Sequence, residues 1–332
     1  MRITKPAYYD LFRCLASACP DSCCKEWAVQ VDAKSSARYR EMPGALGNSL
    51  RSVMIEEDGD IILKLNSDRR CPMWQDDGLC RIQAELGEDA LCHTCRQFPR
   101  LRHDYGDLVE LGLELSCPEA ARLILKDDST DISEIIPGGE SPEYDQEAMT
   151  VLLRTRQEAL GLLARKQFTV GETLAILLVY GHLAQNELDG GDMAVLDADA
   201  ILKSAKSMAS NGNLPAIVNF YKSLEILTPQ WHQRLGAPVF TPFHEALRPL
   251  VKYFINRYWL QAVSDYDLIG RIKLAIVSCL MIHSLGGELI ETAHLYSKEI
   301  ENDADNINAI LDATYTSPVL ADIGLLDILL EA

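Results

Sequence analysis

Ten cysteines stand in this 332-residue chain, and nine of them fall within the first 117 residues. They form four groups: Cys14, Cys19 and the adjacent Cys23 and Cys24; Cys71 and Cys80; Cys92 and Cys95; and Cys117. Thiols this closely spaced suit an iron–sulfur cluster or zinc, because short loops can aim several sulfurs at one point. A lone Cys-x-x-Cys would say little. Nine thiols in four groups argue for a metal without choosing between iron and zinc. Cys92 and Cys95 lie three apart and share a face if their segment is helical. Cys23 and Cys24, being adjacent, point in different directions and do not serve one atom in the same way. Ser116-x-x-Glu119 reads as a capping box with Pro118 in the first turn. That places Cys117 at a helix N-terminus, where the dipole and free amides favour the metal-binding thiolate. Cys279 stands apart in an apolar stretch and reads as a small core residue.

Bound thiolates carry negative charge, which nearby cations would stabilise. Arg69, Arg70, Arg81, Arg96, Arg100 and Arg102 surround the cysteines in sequence. Arg96 and Arg100 flank the Cys92/Cys95 segment and are the candidate cofactor-binding residues. His93 and His103 read as hydrogen-bonded structural histidines rather than ligands.

The chain as a whole is acidic, with 31 Lys and Arg against 49 Asp and Glu and a net charge of −18. Such a surface excludes nucleic acid and anionic membranes as natural partners. Residues 1–20 hold no apolar run of secretory-signal length. The longest apolar stretches, 174–179 and 276–282, fall far short of the ~20 residues of a membrane span. The expected location is therefore the cytoplasm, where thiols stay reduced and clustered cysteines read as metal ligands before disulfides.

Around the cysteines the elements are short. Residues 27–31 alternate like a strand, and residues 53–57 and 60–65 flank Asp58-Gly59, a hairpin signal. Residues 81–86 form a short helix ended by Gly87, and 91–98 a helix stopped by Pro99. An acidic segment with Gly138-Gly139 and two prolines reads as a linker. Beyond it the pattern is helical: 146–167, 171–186, a helix opened by Thr241-Pro242 and running to about 261, another over 264–285 closed by Gly286-Gly287, and two more within 288–314. The fold class is mainly α. A small irregular cysteine-rich metal-binding domain with short strands (1–126) and an acidic linker (127–145) precede an all-helical domain (146–332).

These motifs together resemble the flagellin lysine-N-methylase family. The residues that carry the resemblance are Cys14-x4-Cys19-Pro-Asp-Ser-Cys23-Cys24-Lys-Glu-Trp27 with Val31-Asp32, Cys71-Pro-Met, Gly78-Leu-Cys80-Arg-Ile-Gln, Leu86-Gly-Glu, Cys95-Arg-Gln-Phe-Pro-Arg100 and Ser116-Cys117-Pro-Glu-Ala-Ala-Arg122. More loosely, Tyr253-Phe-Ile-Asn-Arg-Tyr-Trp259 and Tyr266-Asp-Leu are similar to the family's C-terminal helices. The block from Cys71 to Arg100 also resembles the broader class of iron- or zinc-chelating cysteine-cluster proteins.

The resemblance implies methyl transfer from S-adenosylmethionine to lysine side-chain amines of flagellin, with an iron–sulfur cluster, of the 4Fe-4S kind, held by cysteines. Cys14, Cys19, Cys23, Cys24, Cys71, Cys80, Cys95 and Cys117 match the family pattern by position, and Cys92 less clearly. Eight thiols exceed the four that one cluster needs. Methyl transfer requires a neutral amine, so something must remove a proton from a group whose pKa is ordinarily ~10.4. Asp21, Glu26, Asp32 and Tyr105 lie near the cysteines and are the candidate catalytic groups. No Gly-rich Rossmann loop follows a strand. Nor is there a Cys-x3-Cys-x2-Cys run: after Cys19-x3-Cys23, Glu26 holds the third position. The alternatives are a non-enzymatic zinc- or iron-binding protein and a redox module with the same cysteine framework.

Overall fold

The computed structural model describes residues 1–331 except Glu26, Asp58, 127–130, 139–141, Glu143 and Phe240. The catalytic candidate Glu26 therefore lies outside the described residues, as do Asp58 of the hairpin signal and parts of the acidic segment.

The first third is built from strands and short helices: β1 (Arg2–Lys5), β2 (Val29–Gln30), α1 (Ala33–Glu41), α2 (Gly44–Val53), β3 (Met54–Glu57), β4 (Asp60–Leu63), α3 (Arg81–Leu86), α4 (His93–Gln97), β5 (Arg100–Asp104), β6 (Leu108–Leu113) and α5 (Pro118–Leu125), followed by β7 (Ile132–Ile135). Two small sheets result. In the first, ordered β5-β6-β1-β7, β1 runs parallel to β6 and antiparallel to β7. The second, ordered β2-β4-β3, is the expected hairpin extended by one short strand, with Ile55 opposite Ile62. Within the acidic segment, residues 132–135 are β7, an edge strand on β1.

The remainder is helical: α6 (Gln146–Leu163), α7 (Val170–Leu188), α8 (Ala198–Met208), α9 (Leu214–Lys222), α10 (Pro229–Leu235), α11 (Arg248–Tyr258), α12 (Leu268–Ser284), α13 (Leu289–Tyr296), α14 (Ala304–Thr316) and α15 (Asp322–Glu331). The start signals are chemical. Asp145 accepts from the amides of Glu147 and Ala148. Thr169 and Glu172 close a reciprocal capping box that begins α7. Every residue of α12 except His283 is buried, so this helix is the axis of the bundle. Its two buried cations are satisfied: Arg271 bonds Asp265 at 2.8 Å and the Asp267 carbonyl at 2.6 Å, and Lys273 pairs with Asp322 at 3.0 Å. Among the described residues no helix is long and apolar enough to cross a membrane.

Two expectations about helix starts require correction. Thr241-Pro242 opens no helix. Residues 241–244 carry no regular structure, a 3-10 turn over Glu245–Leu247 follows, and α11 begins at Arg248 with its own proline in the first turn. Thr241 is engaged elsewhere, its carbonyl accepting from His283 at 2.8 Å. The capping box at Ser116 and Glu119 does not form either. The N-cap of α5 is Cys117. The Ser116 hydroxyl donates to Glu114 at 3.0 Å, and Glu119 is drawn to Arg122 at 2.7 Å.

The apolar interior has two parts. A small core gathers Val29, Val31, Tyr39, Leu46, Leu50, Leu63, Met73, Ile82 and Leu91 around Cys71 and Cys92. The large core fills the helical bundle, and it also takes Phe12, Leu108, Leu113, Leu115 and most of α5. The sheet-to-α5 region is thus welded to the helices by burial, and the cysteine loops hang between the two cores.

Candidate metal centre

All nine N-terminal cysteines line one cavity of about 210 Å³. Sequence separations of more than a hundred residues are closed here by two loops, three helix starts and the body of α4. The first loop, residues 13–24, contributes Cys14, Cys19, Cys23 and Cys24. Its end is tied to Cys71 by the bond from the Cys71 amide to the Cys24 carbonyl, 2.7 Å. Cys80, Cys92 and Cys117 are the N-cap residues of α3, α4 and α5. The first-turn amides of Gln83 and Ile82 at Cys80, Cys95 at Cys92, and Ala120 and Glu119 at Cys117 pull the thiol pKa values down, although none of the three side chains makes a cap hydrogen bond.

The thiols lie close enough to titrate together: Cys24 is lowered beside Cys23 and Cys71, which are raised, and Cys92 is lowered beside Cys95, which is raised. Cys117 behaves differently from the expectation that its helix N-terminus would favour the thiolate. Burial dominates and pushes it up to about 11, against the downward pull of the Ala120 and Glu119 amides. Burial likewise raises Cys19 and Cys80.

Among the described residues no three His, Cys, Asp or Glu side chains already crowd one point as a single bare ion requires. The sulfurs ring a space instead. A soft, polynuclear group fits a donor set made of thiols and a cavity of this size, and the residues present could hold one. Cys279, the tenth cysteine, is fully buried in α12 far from this site in the chain, its thiol raised by burial.

The structure separates the other candidates. Arg96 and Arg100 line the cavity, joined by Arg13, which sequence reasoning missed. Arg100 also lies over the Phe12 ring at 5.2 Å. The remaining arginines serve elsewhere: Arg70 stacks on Trp74, Arg81 pairs with Glu85 and Arg102 with Asp104. Asp21 lines the cavity and is bonded by Lys25 at 2.6 Å and Lys298 at 2.9 Å, with His294 at 3.5 Å. Burial pushes its carboxyl up, but the two ammonium groups more than offset this and hold it below the usual carboxylate range. Lys298 and His294 come from the far end of the chain, and no sequence signal pointed to them.

Asp32 and Tyr105 are not brought to the cavity. Asp32 caps α1, accepting from Ser35, and accepts the His93 amide at 2.8 Å, a positioning task one residue from Cys92. Tyr105 packs edge-on against Tyr144, its hydroxyl raised by burial. His93 contributes its amide to Asp32 and does not line the cavity, while His103 lies in a separate cleft. Apolar walls come from Phe12, Trp27 and Phe98, with Trp27 fixed by its indole bond to the Cys23 carbonyl at 2.8 Å.

No model of a known protein family matches the chain, and no solved structure does. Curated relatives do. A flagellar biosynthetic protein FliU of Salmonella muenchen is 38% identical over 136 residues, 38% of this chain and 78% of that protein. Two lysine-N-methylases, from Salmonella typhimurium and Salmonella choleraesuis, are each 37% identical over 136 residues, again 38% of this chain. The match spans one third, 33%, of the length of these methylases. By its identity across most of FliU and its match to the methylases, the chain belongs to the FliB-like family of lysine-N-methylases and FliU proteins.

Proposed function

We propose that this protein transfers a methyl group from S-adenosylmethionine to lysine side-chain amines of flagellin, with an iron–sulfur group held in the cysteine cavity. The observation that carries the reading is the convergence of nine thiols on one cavity in a member of a lysine-N-methylase family. When bound, such a group supplies one-electron or Lewis-acid chemistry. Arg13, Arg96 and Arg100 offset the accumulated negative charge.

The transfer breaks the sulfonium S–CH3 bond, forms an N–CH3 bond and releases S-adenosylhomocysteine and a proton. The rings of Phe12, Trp27 and Phe98 offer faces to a sulfonium cation. Asp21 is ionised but already paired with Lys25 and Lys298, so its role here is to fix those two side chains at the cavity wall. Apolar surroundings then disfavour the ammonium form, which lowers the lysine pKa toward the neutral nucleophile. The test is direct: reconstitute the protein anaerobically, add labelled donor and flagellin, and map modified lysines by mass spectrometry. Methyl incorporation that disappears with the metal supports the reading. No incorporation across several flagellins, with the metal site intact, overturns it.

A further inference from the structure

Different parts of the molecule carry the cavity thiols. Cys71 and Cys92 belong to the small core, with Cys24, Cys80 and Cys95 packed against it. Cys117 belongs to the large core, as does Phe12. Cys14, Cys19 and Cys23 belong to neither. They sit on the loop of residues 13–24, whose regular structure is a single 3-10 turn at Ala16–Ala18. The ties at its far end lead to the small core: the Cys71 amide bonds the Cys24 carbonyl at 2.7 Å, and the Trp27 indole bonds the Cys23 carbonyl at 2.8 Å. Among the described residues, the ion pairs that tie this loop to the helical bundle are those of Asp21. Its carboxylate meets Lys298 at 2.9 Å and faces His294 at 3.5 Å. Lys25, at 2.6 Å, comes from the same segment and fastens Asp21 only to its own neighbourhood.

The post on the bundle side is rigid. Lys298 lies in a π-helical turn, Ser297–Glu301, in which Ser297, Glu299 and Ile300 are buried. Glu299 accepts the Leu227 amide at 2.8 Å, and Glu301 accepts the hydroxyls of Tyr253 at 3.0 Å and Tyr258 at 2.8 Å. The chain on both sides of Lys298 is thus anchored. His294, four residues earlier at the end of α13, reaches the same side, and α13 packs along α5, whose N-cap is Cys117. On the loop side, the Cys19 thiol donates to the Asp21 carbonyl at 2.6 Å, so this sulfur moves with the residue that Lys298 holds. We propose that Lys298, supported by His294, is a positioning residue of the metal centre: through Asp21 it clasps the first cysteine loop to the bundle and keeps Cys19 facing the thiols of the small core. The proposal rests on the cysteine cavity as the metal centre and not on methyl transfer.

The test is alkylation of the full chain with N-ethylmaleimide, metal-free and under anaerobic reducing conditions, with each cysteine followed by mass spectrometry. The Asp21–Lys298 pair is partly buried, between exposed pairs that matter little and buried ones that matter much, so Lys298→Met should speed labelling of Cys19 about fivefold. Cys71 and Cys92, held in the small core, should change by less than about twofold. Lys298→Arg should return Cys19 to within about twofold of the wild type. Lys25→Met is the control for charge. Losing either lysine removes a cation near Cys19, which lowers its thiolate fraction and slows alkylation. Only loss of the clasp speeds it, so Lys25→Met should leave Cys19 unchanged or slower. Cys279, buried in α12, reports general unfolding. If it too is labelled in Lys298→Met, Lys298→Gln, whose side chain is too short to reach Asp21, carries the test with the same expectation. After anaerobic reconstitution with ferrous iron and sulfide, the clasp variant should also lose iron to a chelator about fivefold faster. Cys19 labelling unchanged or slower without Lys298, or sped equally by Lys25→Met, overturns the proposal. A wild type that binds no iron removes the metal reading and leaves labelling to decide the clasp. Normal iron binding with Cys19 indifferent to Lys298 removes the clasp and leaves the metal centre standing.

Discussion

Asp32→Ala separates a positioning residue from a catalytic one. Asp32 Oδ1 caps α1 through the Ser35 amide at 2.9 Å, and Oδ2 accepts the His93 amide at 2.8 Å, beside the cysteine that begins α4. The cap contributes about 1 kcal/mol. A hydrogen bond to a charged group contributes about 1.5–3 kcal/mol, taken at its lower end because Asp32 is only partly buried and solvent screens it. Removal should therefore cost about 2–2.5 kcal/mol in urea denaturation. Asp32→Asn, which keeps only one of the two acceptor oxygens, should retain the cap and lose the bond from the His93 amide, at a cost of about 1.5 kcal/mol. The His93 amide holds this carboxyl down to about 2, against an unfolded value near 3.9. A depressed carboxyl stabilises the fold above its unfolded pKa, so the contribution is complete above about pH 4 and is lost as pH falls toward about 2. The wild type should lose stability across that window, and Asp32→Ala should lose less. Because the same carboxylate positions α4, Cys92 and Cys95 should react faster with a thiol reagent in Asp32→Ala. A cost under about 0.5 kcal/mol with unchanged thiol reactivity would refute the reasoning.

Four further outcomes follow from the geometry. Cys71→Ala, Cys80→Ala and Cys95→Ala should each lower iron bound after anaerobic reconstitution, measured by metal analysis and absorbance near ~400 nm; unchanged iron in all three sinks the assignment of this cavity. Cys279→Ser should leave iron content unchanged and cost about 1 kcal/mol, since its new hydroxyl can bond within α12. Arg248→Met should cost about 3 kcal/mol in thermal or urea unfolding, because this buried guanidinium holds Glu245 and the carbonyls of Leu163 and Phe168. Gly181→Ala should cost about 1–3 kcal/mol, since a Cβ there would meet Ile272 Cδ1 at 2.7 Å, where α7 packs on α12.

Much of the architecture was legible before any coordinates. Residues 81–86 form the helix that their Gly87 stop indicated, because a φ of +84° suits glycine and ends the turn. The hairpin of β3 and β4, and helices α6, α7 and α12, fall where periodicity placed them. Helix starts fared less well at Thr241 and Ser116. A capping side chain competes with other partners, and there a distant one, His283, engaged the Thr241 hydroxyl and a local one, Glu114, the Ser116 hydroxyl.

For the site, residue types and local spacing named the nine thiols and grouped them, since a cysteine's chemistry is carried by the residue itself. Spacing could not say that all nine line one cavity or that three of them are N-caps. Those facts depend on contacts and on burial, which exist only when the chain brings distant segments together. The same holds for Asp21, whose charge is maintained by Lys298 from 277 residues away. Asp32, near the cysteines in sequence, faces an amide instead of the cavity. The sequence by itself determined which residues with reactive side chains this protein concentrates near its N-terminus and that helices would follow them. Only the tertiary structure decided which groups share a space, because desolvation and partner choice are properties of the packed interior.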